Sequence, residues 1–142
     1  MQNYDVIVVG GGHAGCEAAH ASARLGSKTL LITMKLDGIG QMSCNPAVGG
    51  IGKSHLAREV DALDGLICKV ADRASLQSRV LNSSKGAAVR ATRIQTCRDK
   101  YKKAMQKEIM YHENLTVLQS TVKSIDFKLK KVNGVILDTD EV

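Results

Sequence analysis

Tryptophan is absent from this 142-residue sequence, phenylalanine occurs once and tyrosine three times. So few flat side chains argue against a surface that stacks the bases of a single strand. The four cysteines, Cys16, Cys44, Cys68 and Cys97, are widely spaced and form no C-x-x-C. Neither a zinc site nor a thioredoxin-like redox pair is signalled, and reduced thiols are the expectation. His13, His20, His55 and His112 share no ligand spacing, so no metal site is expected. No apolar run approaches the length that spans a bilayer, and Met-Gln-Asn-Tyr-Asp leads straight into apolar residues without a signal or transit segment. A cytoplasmic protein with no membrane partner is the expectation. Acid is locally scarce as well. From Arg73 to Lys107, ten lysines and arginines face one acid, Asp99, within a net charge of +6, which favours an anionic partner such as nucleic acid.

What is present starts with Val6 to Val9, a short β-branched run bounded by glycine that reads as a buried parallel strand. Gly10, Gly12 and Gly15 follow in G-x-G-x-x-G spacing. Helix-forming residues continue from Ala14 to Gly26, which suits a helix C-cap. Strand, glycine turn and helix in this order make a dinucleotide cradle. Gly10 permits the tight turn, Gly12 the approach of a pyrophosphate, and Gly15 close packing of helix on strand, with the helix N-terminus facing the anion. Lys28 to Thr33 supplies the second strand of a β-α-β unit. An NAD-type site places an acid just beyond it, but Thr33, Met34 and Lys35 stand there and Asp37 lies further on. This counts against a plain NAD dehydrogenase.

Asp37 to Lys53 reads as a long functional loop with five glycines and the only proline, Pro46. Asn45, Gly49 and Gly50 are candidates for a second wall around the dinucleotide. Ala47 to Ser54 superficially fits a relaxed phosphate-loop pattern, but no buried strand precedes it, and an ATPase is rejected. Cys44, ahead of a helix from about Ile51 to Leu63 and near Lys53, is either a nucleophile or proton donor, or an inert loop thiol. Cys16, Cys68 and Cys97 fall in predicted helices and are expected to pack. Leu56, Val60 and Leu63 trace the apolar face of the 51–63 helix.

Leu66 to Ala71 suggests a further helical turn or two, and Gln77 to Asn82 a short strand. One helix is expected from Ala91 to Tyr111, with Ile94, Cys97, Tyr101, Met105, Glu108 and Ile109 on one face. Among the basic residues, Lys85, Arg90 and Arg93 are the candidates for phosphate-backbone contact, against the plainer reading of a solvated surface. Leu115 to Leu118 reads as a strand. Val122 to Leu129 and Val132 to Leu137 read as an antiparallel hairpin, with its turn at Lys128 to Lys131 and Gly134 inside a strand despite the Asn133-Gly134 turn signal. The expected fold class is α/β, a Rossmann-like FAD-binding fold of the two-dinucleotide type with an inserted antiparallel hairpin. A doubly wound domain needs more parallel strands than residues 1–142 supply. The sequence is therefore expected to be the N-terminal part of such a domain, inactive alone, with its first strand unpaired on one side.

Asp5-Val-Ile-Val-Val-Gly-Gly-Gly-His-Ala-Gly-Cys-Glu-Ala-Ala, Gly40-Gln-Met-Ser-Cys-Asn-Pro-Ala-Val-Gly-Gly-Ile-Gly-Lys, Glu59-Val-Asp-Ala-Leu-Asp-Gly and Leu81-Asn-Ser-Ser-Lys-Gly-Ala-Ala-Val-Arg-Ala together resemble the N-terminal end of the glucose-inhibited division protein A family. These are flavin-dependent tRNA uridine carboxymethylaminomethyl modification enzymes. The resemblance implies FAD bound at its pyrophosphate by Gly10, Gly11, Gly12, His13, Ala14 and Gly15 and at its adenine end by Val122, with Cys44 as a reactive-site cysteine. It further implies modification at carbon five of the wobble uridine of tRNA, a GTPase partner, a homodimer, and use of NADH and methylenetetrahydrofolate. One departure is Ala87, where the family motif Lys-Gly-Pro-Ala-Val has proline. Two other classes stay open: a noncatalytic nucleic-acid or partner-binding module that keeps the basic segment, and a general flavin oxidoreductase.

Overall fold

The fold is that of a computed structural model describing residues 2–138. Val6–Val9 forms the first strand, β1, and Gly10 (φ 103°) turns the chain into helix α1, His13–Arg24. Gly26 (φ 91°) ends the helix, its amide donating to the Ala23 carbonyl at 2.9 Å, as the sequence predicts. Thr29–Thr33 is β2 and a 3-10 turn follows at Leu36–Gly38. The expected long loop then holds a short strand, β3, at Ala47–Gly49. Helices α2 (Lys53–Ala62) and α3 (Leu66–Arg73) lead to strands β4 (Ser75–Leu81) and β5 (Ala91–Thr96). Helix α4 is Arg98–Met110, β6 is Leu115–Gln119, and β7 (Val122–Lys128) and β8 (Lys131–Leu137) close the described chain.

Contacts divide the chain into two compact units. In the first, formed by residues up to Ile39 and from Ile109 onward, β1, β2 and β6 make a parallel sheet with β2 in the middle. Val6 pairs with Thr29, and Thr29 with Leu115. Central β2 is buried from Thr29 to Ile32, whereas β1 is only half-buried and Val9 is 56% exposed. That corrects the reading of β1 as a buried strand: among the described residues it pairs on one side alone. Helix α1 turns Cys16, Ala19, His20 and Ala23 inward. Asn114 ties this unit together, its side-chain amide donating to Ala23 O (3.2 Å) and its carbonyl accepting from Thr29 N (2.9 Å). The hairpin of β7 and β8 has the predicted turn, and Gly134 lies within β8.

The second unit, Gly40–Glu108, is built on an antiparallel sheet in the order β3, β5, β4. Here two expectations are overturned. Ala91–Thr96 is a strand rather than the first third of a helix, since its backbone groups pair with β3 on one side and β4 on the other. Cys97 therefore sits at a strand-to-helix junction, and Tyr101 N donates to its carbonyl at 2.9 Å. Only Tyr101, Met105 and Ile109 of the expected apolar face are helical and fully buried. On α2 the buried positions are Ser54 and Ala57, while Leu56 and Leu63 are 65% and 75% exposed. Gly49 (φ 101°) explains the tightness of the β3–β5 contact, for a Cβ there would lie 2.0 Å from the Thr92 carbonyl oxygen.

Candidate functional site

Parallel sheets of this kind bind ligands outside the carboxyl ends of their strands, and the first unit has a cavity there of about 500 Å³. Val9, Gly10, Gly11 and Gly12 line one side, Ile32, Thr33, Met34, Lys35 and Gly38 the next, and Ser120, Thr121 and Val122 the third. The chain comes to this place three times for one reason: β1, β2 and β6 end together. Gly10 N donates to Ile32 O (2.7 Å) and Ser120 N to Thr33 O (3.0 Å), which fixes the three exits relative to one another.

Each glycine of the fingerprint has a separate task. Around Gly10 and Gly12 an added Cβ would meet nothing within 4 Å, so their backbone opens onto free space. Gly12 is the N-cap of α1, has no side-chain capping bond, and precedes a first turn without acid. The dipole of a helix start without acid favours an anion. Gly15 serves packing, because a Cβ on it would lie 1.8 Å from the Gly10 carbonyl oxygen. Gly11 is enclosed by Thr33 and Ile39, with the Thr33 Oγ1 2.8 Å from the position of such a Cβ. His13 and Ala14 open the helix and are not among the lining residues. Cys16, fully buried, donates its thiol to Gly11 O at 3.5 Å and packs as expected.

The cavity joins Gly10, Gly11 and Gly12 to Val122, four of the predicted cofactor residues. Ser120 and Thr121 are not marked by any sequence motif; the available signal is their place directly after a strand parallel to β2. Asn45, Gly49 and Gly50 belong to the second unit. Gly49 is the end of β3, Gly50 N donates to Thr92 O (2.9 Å), and Asn45 O accepts from Ala47 N (2.7 Å).

Cys44 is exposed and its thiol is free. The neighbouring cation is not Lys53, whose ammonium reaches Ala47 O at 3.4 Å. It is Arg98, whose Nη2 donates to the Cys44 carbonyl at 2.6 Å. Buried Thr96 holds the same loop, donating to Pro46 O through its amide (2.7 Å) and its hydroxyl (3.0 Å). The phosphate-loop pattern fails on geometry, since its first three residues, Ala47 to Gly49, form β3.

Lys85 and Arg90 sit on an exposed turn, where Arg90 Nε donates to Lys85 O at 3.0 Å. Ala87 begins a 3-10 turn in that segment, and His55 Nε2 lies 3.1 Å from Ala88 O. Arg93 is directly opposite Arg79 across β5 and β4. Like charges in such a pair repel, and neither arginine has an acidic partner among the described residues. Arg73 does have one, Glu108. No group of three or more potential metal ligands occurs among the described residues, and no helix among them is long and apolar enough to cross a membrane.

The family model for glucose inhibited division protein A matches residues 5–142. The chain belongs to this family. GidA of Aquifex aeolicus is 46% identical in one crystal form and 45% in another, with TM-scores of 0.92 and 0.93; 96% of this chain is covered in each case. The match takes in 22% and 23% of those chains, so the chain spans less than a quarter of the GidA structures it matches. PqsL of Pseudomonas aeruginosa, described as a probable FAD-dependent monooxygenase, has the same fold at 17% identity and a TM-score of 0.64, over 96% of this chain and 39% of its own. The fold is thus the Rossmann-like FAD-binding fold expected of the GidA family.

Proposed function

We propose that the protein is an FAD-dependent tRNA-modifying enzyme and that residues 1–142 include its FAD-anchoring part. The observation that carries this reading is the open cavity in which a GidA-family chain brings Gly10, Gly11 and Gly12 together with Val122. The residues fit the cofactor: two glycines leave room for a diphosphate, an acid-free helix start follows them, and the β6–β7 junction offers Val122 to an adenine. Bound there, FAD supplies redox equivalents to the reaction.

The target in this reading is carbon five of the wobble uridine, which receives an aminomethyl or carboxymethylaminomethyl group. Cys44, exposed on a fastened loop, adds to the uracil ring or moves a proton on it. Arg79, Lys85, Arg90 and Arg93 offer positive charge to the tRNA backbone. NADH as reductant, methylenetetrahydrofolate as one-carbon donor, a GTPase partner, a homodimeric assembly and a cytoplasmic location complete the proposal.

Protein expressed from the complete gene is expected to purify with flavin, seen by its visible absorbance. Cys44→Ser is expected to abolish wobble-uridine modification while flavin and tRNA binding persist. An unchanged nucleoside profile with Cys44→Ser removes the catalytic role of that thiol. Absence of a wobble-uridine defect in a deletion strain favours a general flavin oxidoreductase.

A further inference from the structure

Dinucleotide folds place an acid at the end of the second strand to receive the ribose 2′-hydroxyl, and use a nearby cation where a 2′-phosphate must be accommodated. In this chain β2 ends at Thr33, and Thr33, Met34 and Lys35 all line the cavity. None of the lining residues is acidic, and Lys35 is the one charged side chain among them. Asp37, the nearest acid in sequence, belongs to the following 3-10 turn and is outside the lining set. The first turn of α1, which follows the lining residue Gly12, carries no carboxylate. Thr33 lines the cavity and packs against Gly11, its Oγ1 2.8 Å from a Cβ position there.

Resting on the adenine-dinucleotide reading above, we propose that this cavity accepts adenine nucleotides that carry a 2′-phosphate, with Lys35 meeting that phosphate and Thr33 lying beside the ribose. A carboxylate at this position would repel such a phosphate. Lys35 attracts it, and its exposed position lets the ammonium move to meet the anion.

The test uses protein from the complete gene, freed of flavin, with 5′-AMP and adenosine 2′,5′-bisphosphate as competitors against FAD and flavin fluorescence as the readout. These two probes differ only in the 2′-phosphate. The bisphosphate is expected to compete at least as well as AMP. Lys35→Glu is expected to weaken the bisphosphate by about tenfold, as removal of a charge-assisted hydrogen bond implies, while AMP changes little and Lys35→Arg retains binding. Lys35 is exposed, so an unchanged melting temperature serves as the folding control. A bisphosphate that competes worse than AMP, or is indifferent to Lys35→Glu, overturns the inference and leaves the FAD reading standing. If FAD and both probes fail to bind, the FAD reading falls and this inference with it.

Discussion

The guanidinium of Arg98 holds the backbone of Cys44 rather than its thiol, donating to the carbonyl oxygen at 2.6 Å. Thr96, two residues earlier, secures Pro46, two residues further along the loop. The backbone is thereby fastened from the Cys44 carbonyl to Pro46 while the sulfur stays accessible. Arg98→Ala is expected to leave flavin content unchanged and to lower wobble-uridine modification about tenfold, the scale of one missing hydrogen bond to a charged group. Arg98→Lys should recover part of it. Quantifying the modified nucleoside decides the matter, and an unaltered rate in Arg98→Ala would show that the fastening is idle.

Gly12 and Gly15 separate ligand binding from folding. Gly15→Ala drives a methyl to 1.8 Å from a backbone oxygen, and an expected loss of about 2 kcal/mol or more should appear as a lower melting temperature even without flavin. Gly12 has an ordinary φ of −72° and open space around it. Gly12→Ala should cost the apoprotein at most about 1 kcal/mol, the penalty of alanine at a helix N-cap, yet weaken FAD through the methyl placed where the diphosphate approaches. Equal melting losses in the two variants would contradict this division.

Arg79 and Arg93 face each other across two strands without an acid to separate them. Replacing Arg79 by Gln removes a like-charge pair, so stability should hold or rise slightly. The affinity for tRNA should fall in the same variant, and the slope of log affinity against log salt should shrink by about one unit for each phosphate that is no longer neutralised. Salt titrations of tRNA binding test it; an unaltered slope means that the pair touches no phosphate.

At the hairpin tip, Leu129 (φ 51°) and Lys130 (φ 61°) both adopt left-handed backbone without being glycine. Leu129 is 96% exposed, so its side chain gains little by being there. Substituting Asn and Gly at 129 and 130 supplies the pair that a type I′ turn favours, and a stabilisation of about 1–2 kcal/mol is expected from relieving the strain. Denaturant titration measures it, and a destabilised double variant would show that the Leu129 side chain matters for packing instead.

The parallel unit was legible in the sequence because its signals are local: a β-branched run, a glycine turn, a small-residue helix face and Gly26 as the cap lie within about one β-α-β length. The antiparallel unit was less so. Ile94, Cys97 and Tyr101 are spaced as on a helix, and this extended α4 backward across Ala91–Thr96. The alternating β-branched Thr92, Ile94 and Thr96 carried the opposing strand signal, but one of the two strands they pair with, Ala47–Gly49, is more than forty residues away. Three residues are too few to show a period of their own. On α2, Leu56, Val60 and Leu63 made a plausible apolar stripe, whereas small Ser54 and Ala57 occupy the buried positions. At the cavity, glycine spacing disclosed the cradle, while Ser120 and Thr121 resemble any polar residues between two strands.

The middle segment, Gly40–Glu108, is contiguous, whereas the parallel sheet takes its third strand only from Leu115–Gln119. During synthesis the antiparallel sheet has all its strands as soon as Thr96 clears the ribosome, while β2 must wait for its second partner, β6, to be translated. The nascent chain thus carries an unfinished nucleotide cradle at a time when the later-starting unit can already close, so flavin loading belongs to a late stage of biogenesis.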